Sequence, residues 1–133
     1  MRSQASQNKG EAVQRIPSPR TFSRNQRRKE IRLLRDAIVR EFHPEKIVLF
    51  GSYAYGRPQA DSDVDLLVVM PFEGSPFRQA SIILGHIVHS VGVLPMDLLV
   101  RTPKQVRERL KMGDGFMRQI IERGKVLYEA DYA

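Results

Sequence analysis

The sequence contains no cysteine and no tryptophan. Without thiols there is no disulfide framework, no thiolate zinc site and no cysteine nucleophile, so any metal must sit on oxygen or imidazole. No apolar run approaches the ~20 residues that cross a bilayer, and the first residues lack the apolar stretch of a secretion signal. A soluble, unexported, cytoplasmic protein without membrane association is the expectation. No segment repeats. What the chain does have is positive charge: 22 Lys and Arg against 15 Asp and Glu, a formal net +7 on 133 residues, a length that allows one compact domain.

That charge is concentrated. Residues 1–35 hold ten basic side chains and two acidic ones, whereas the rest of the chain is nearly balanced. The basic character therefore belongs to an arm and one helix face. Residues 1–22, rich in Ser, Gln and Arg with Pro17 and Pro19, offer almost nothing to bury and are expected to be a disordered basic arm preceding a domain at 23–133. Such an arm reads as a solvated tail or, through residues 1–35, as a nucleic-acid contact. With only Phe22 among its rings it lacks the interleaved aromatics of a single-strand binder.

Beyond the arm, helices and strands alternate. Ser23 with Gln26 fits a capping box, and Ile31, Leu34, Ile38 and Phe42 recur at helical spacing up to Pro44. Lys46 to Phe50 is a β-branched apolar run ended by Gly51, and Val64 to Met70 is a second, closed by Pro71. Residues 52–55 read as one helical turn and 56–62 as a polar loop. Ser75-Pro76 opens a helix with an apolar stripe at Phe77, Ala80, Ile83, Leu84, Ile87 and Val91, stopped by Gly92. Met96 to Arg101 is a third strand. Thr102 and Gln105 open a short helix reaching Leu110, and Asp114 caps another that uses Phe116, Ile120 and Ile121. Val126 to Tyr128 is a last strand. The fold class is α/β (α+β), a small mixed sheet flanked by helices.

The informative stretch runs from Phe50 to Val68. Side chains alternate along a strand, so Asp63 and Asp65 project from one face while Val64 and Leu66 project from the other. Two carboxylates at the start of an apolar strand repel each other, and a divalent cation such as Mg²⁺ would relieve that conflict while taking its remaining ligands from substrate phosphates. Gly51-Ser52 offers a tight bend that approaches a phosphate closely and a hydroxyl that can donate to it. For bend and acids to serve one ligand, the first two strands must be antiparallel neighbours. Asp97 begins the third strand as Asp63 and Asp65 begin the second. The intervening helix is long enough for a crossover, so strands two and three can run parallel with all three acids at one edge. Three acids can hold two metal ions, one stabilising a departing pyrophosphate and one acidifying an attacking hydroxyl.

Other residues read as structural. Tyr53 and Tyr55 are expected to pack against neighbouring helices, and His86 and His89 to lie at the surface. Met70, Met96, Met112 and Met117 read as core or interface filler. Arg101, Arg107, Arg109 and Lys111 read as a solvated face.

Gly51-Ser52, ten residues, then Asp63-Val64-Asp65 resembles the signature of the DNA polymerase β-like nucleotidyltransferase superfamily. Ser62 to Val68 and Met96 to Val100 are similar to its minimal nucleotidyltransferase branch, of antitoxin type, over about residues 25–130. The resemblance implies that Gly51 and Ser52 bind the nucleotide phosphates, that Asp63 and Asp65 are catalytic metal ligands, and that Asp97 is the third carboxylate, which helps to activate the acceptor hydroxyl. Many relatives carry an arginine just before the last glycine of the bend. Here Tyr55 stands there, and Arg57 is the nearest arginine that can meet a phosphate. The implied reaction is Mg²⁺-dependent transfer of AMP from ATP to a hydroxyl, with two ions. The implied setting is an antitoxin paired with a helical HEPN-type toxin, an RNase, whose tyrosine some relatives modify. The rival expectations are an antitoxin or adaptor acting by binding alone, and nucleic-acid binding through the arm.

Overall fold

The computed structural model describes residues 24–58, 62–92 and 94–131. The arm at 1–22 and the Ser23 cap lie outside the described residues. Arg24–Phe42 forms helix α1, burying Ile31, Leu34, Ala37 and Ile38. Past its end the His43 N–H donates to the Val39 carbonyl at 3.0 Å, with His43 at φ 49°, a left-handed exit from the helix ahead of Pro44. Strand β1, Lys46–Phe50, follows, then the single turn α2, Ser52–Tyr55. Strand β2 spans Val64–Val69 and helix α3 spans Pro76–Val91. The Ser75 hydroxyl caps α3 by accepting from the Arg78 N–H at 3.0 Å. Strand β3 covers Met96–Arg101, α4 Pro103–Lys111, α5 Gly115–Arg123 and β4 Lys125–Glu129. The capping box at Thr102 and Gln105 is formed in both directions, and Asp114 Oδ1 accepts from the Phe116 and Met117 N–H groups at 3.0 and 3.1 Å.

The four strands make one mixed sheet in the order β3-β2-β1-β4. β1 is antiparallel to both β2 and β4, while β2 and β3 are parallel, joined through α3. This is the arrangement that convergence of the acids requires. The central strands are apolar on both faces, so helices cover both. Ile47, Leu49, Leu66 and Val68 pack towards α1 and α3. Val48, Phe50, Leu67 and Val69 pack with Val106 of α4 and Met117 and Ile120 of α5. Among the described residues, fourteen of the first layer and seven of the second are buried, so the α1/α3 side supplies most of the core.

Some side chains depart from expectation. On α3 only Ile83 and Ile87 are buried, flanked by half-buried Ala80 and Val91. Phe77, in the first turn, is 82% exposed, and Leu84, at the margin of the buried face 80-83-87-91, is 36% exposed. Phe116 is 55% exposed, touching the sheet edge-on at Phe50, while Met117 and Ile120, with half-buried Ile121, pack α5 onto the sheet. Met70 and Met117 are buried, whereas Met112 is 75% exposed.

Candidate active site

Gly51 ends β1 with φ 74° and ψ −156°, backbone that only glycine adopts without strain. Its carbonyl accepts from the Ala54 and Tyr55 N–H groups at 3.0 and 3.1 Å, which closes the bend and starts α2. The requirement for glycine is also spatial. A Cβ at Gly51 would collide with Oδ2 of Asp65 and come within 3.0 Å of its Cγ. The bend is thus pressed against the carboxylate.

Strand register sets the rest. Phe50 pairs with Asp65 across the antiparallel β1–β2 ladder, and Asp65 pairs with Asp97 across the parallel β2–β3 ladder. The Val64 N–H donates to the Pro95 carbonyl at 3.0 Å, extending that ladder to the acidic edge. Asp65 and Asp97 share a face with Leu67 and Leu99, the side covered by α4 and α5. Asp63 lies two residues before Asp65. From β1 to the edge strand β3 the order is therefore bend, acid pair, third acid.

Burial first, then the charge of Asp97, then that of Asp63, raises the Asp65 carboxyl above its ordinary value of 3.8. Asp65 is half-buried, and Asp63 and Asp97 are exposed. Among the described residues, no three His, Asp or Glu side chains close into a ready metal-binding cluster. The acids nevertheless fit a divalent cation chemically: hard oxygen donors, mutual repulsion felt at Asp65, and a neighbouring backbone without a Cβ.

The flanking residues fall as follows. Tyr53 packs against the α1/α3 layer, its ring 5.9 Å from the Arg27 guanidinium, and Tyr55 against the α4/α5 layer, 4.8 Å from that of Arg123. Both rings serve packing, as expected. Ser52 is half-buried at the start of α2. Arg57 is exposed beyond the bend and makes no ion pair with another described residue. His86 and His89 are exposed, and His86 meets Phe42 edge-on at 5.3 Å. What sequence reading missed is the pair of Phe50 and Phe116 on the acids' face. Exposed and buried aromatics look alike in a short helical stripe, and only the packing of α5 separates them.

The model of the nucleotidyltransferase domain family matches residues 31–127. The chain belongs to that family. As a nucleotidyltransferase it is 30% identical over 84 residues to a protein of Methanocaldococcus jannaschii named "Putative protein adenylyltransferase", covering 63% of this chain and 78% of the relative. It also superposes on the crystal structure of a "putative nucleotidyltransferase" from Sulfolobus solfataricus at TM-score 0.50 and 18% identity, covering 82% and 91% of the two chains. A mutant MntA–HpeT toxin–antitoxin crystal structure gives TM-score 0.41 at 20% identity over 78% and 73% of the chains. The sheet order and helices on both faces are those of the α/β class expected of this family.

Proposed function

We propose that this nucleotidyltransferase transfers AMP from ATP to a hydroxyl on a partner protein. The observation that carries the reading is the meeting of the Gly51 bend, Asp65 and Asp97 at one edge of the sheet. In this reading Gly51 lets the triphosphate approach the backbone, and the Ser52 hydroxyl donates a hydrogen bond to it. Arg57, on the exposed loop, is assigned to the outer phosphates. Asp63, Asp65 and Asp97 hold divalent metal, two Mg²⁺ ions by the chemistry of the donors. When bound, the metal neutralises triphosphate charge and acidifies the acceptor hydroxyl.

The order of elements gives the transfer a direction. Pyrophosphate leaves on the β1 side, held by Gly51 and Ser52. The acceptor arrives on the open β3 side, where exposed Asp97 orients its hydroxyl and draws away its proton. An acceptor-oxygen-to-phosphorus bond forms as the bond from the α-phosphorus to the bridging oxygen breaks. A protein acceptor is favoured because the 30%-identical relative is named a protein adenylyltransferase. Its biological setting, carried from the minimal branch, is an antitoxin modifying a helical HEPN-type toxin in the cytoplasm.

The test uses ATP labelled on the α-phosphate, Mg²⁺ and a helical HEPN-type toxin as the candidate acceptor. Label should pass covalently to the toxin, and Asp65→Asn and Asp97→Asn should each reduce transfer by at least about a hundredfold, a loss of about 2.7 kcal/mol of transition-state stabilisation. Transfer that survives both substitutions would place the chemistry elsewhere. Toxin neutralisation without any label would favour binding alone.

A further inference from the structure

Resting on the nucleotide site proposed above, we infer that Phe116 is the platform on which the base of the substrate nucleotide stacks. Phe116 is a large aromatic left 55% exposed. Its ring meets Phe50 edge-on, with centroids 5.8 Å apart and planes at 83°. Phe50 is the residue immediately before the Gly51 bend and the cross-strand partner of Asp65. One buried ring therefore separates the exposed one from the strand pair carrying the central acid.

The ring is also held in place. The Phe116 and Met117 N–H groups both donate to Asp114 Oδ1, which fixes the first turn of α5, and Met117 is only 3% exposed. The packing of α5 on the sheet is supplied chiefly by buried Met117 and Ile120, with half-buried Ile121 beside them. Phe116 thus leaves part of an aromatic surface facing solvent on the acids' side of the sheet. A nucleotide with its phosphates at the bend carries its flat base some ångströms away, and a pre-positioned aromatic ring is the group that receives it. Stacking on one ring is indifferent to base identity, so this platform sets affinity for nucleotides over bare polyphosphate and does not choose ATP over GTP.

Because the chain has no tryptophan, Phe116→Trp creates a single tryptophan at the platform, excited selectively over the four tyrosines. Titrating it with ATP and, separately, with tripolyphosphate, both with Mg²⁺, should change the emission with ATP and leave it unchanged with tripolyphosphate. Phe116→Ala should weaken ATP and GTP alike, by roughly five- to a hundredfold from the worth of one base–aromatic stack, with tripolyphosphate affinity retained and Phe116→Tyr restoring both nucleotides. The inference is overturned if ATP displaces tripolyphosphate with no change in Trp emission, or if Phe116→Ala binds both nucleotides as the parent does. If the parent binds neither ATP nor tripolyphosphate, the nucleotide site itself fails and the platform with it.

Discussion

At the residue scale the candidate site turns on a glycine and a carboxylate in contact. Gly51 sits in glycine-only backbone, and a methyl group there would strike Asp65. Gly51→Ala is expected to destabilise the fold by about 1–3 kcal/mol from backbone strain alone and to abolish nucleotide binding, measurable by denaturant unfolding and calorimetric titration. Asp65 makes the opposite prediction. Its carboxyl is raised above 3.8, so the folded state holds that proton more firmly than the unfolded state. The stabilisation this brings is present in acid and lost as pH rises through the raised value. At neutral pH the ionised group works against the fold, so metal-free Asp65→Asn should melt above the parent at pH 7, the gap narrowing towards pH 4. An Asn variant that melts lower at pH 7 would show that Asp65 is held by a stabilising partner instead. These two residues were legible in the sequence because their chemistry is odd for their place: a carboxylate in an apolar strand and a glycine at a strand end. Phe116 was not, since nothing in a Phe-Met-x-x-Ile run says which apolar residue stays outside.

At the element scale, boundaries followed from caps and breakers. Ser75, Thr102 and Asp114 start α3, α4 and α5 where their hydrogen-bonding side chains imply. Thr102→Ala removes one half of a capping box and should cost about 1 kcal/mol in chemical denaturation. Which residues of α3 reach the core was less legible, because Phe77 and Leu84 extend the apolar stripe, yet Phe77 is exposed and Leu84 lies at the margin of the buried face. The packing separates them: Ile83→Ala should cost about 2–5 kcal/mol, whereas Phe77→Ala should stay within about 0.5 kcal/mol of the parent. A large loss at Phe77 would mean that its ring is covered in solution.

At the scale of the whole molecule, the sheet order followed from one chemical demand. Asking that Asp63, Asp65 and Asp97 meet beside Gly51 required β1 and β2 antiparallel and β2 and β3 parallel, and both pairings are present. The position of β4 beside β1, and the covering of the acids' face by α4 and α5, were not legible: Gly124 is pressed against Val48 and Leu49 of β1, but in the sequence it reads only as the glycine that ends α5. Since the site draws on three strands, ligand binding should report on the entire fold. Mg-ATP at a hundred times its dissociation constant should add about 2.7 kcal/mol to stability, a rise of several degrees in melting temperature, and Asp63→Asn should erase that rise. An equal rise in the variant would detach the ligand from the acids.

The parallel pairing of β2 with β3 also has a consequence during synthesis. As the chain emerges from the ribosome, β1 and β2 come out ahead of Met96 to Arg101, so one flank of β2 waits with open amides and carbonyls. Charges set into a bare strand rim discourage other chains from zipping onto it. Asp63 and Asp65 would then guard the nascent polypeptide against aggregation before they ever meet a substrate.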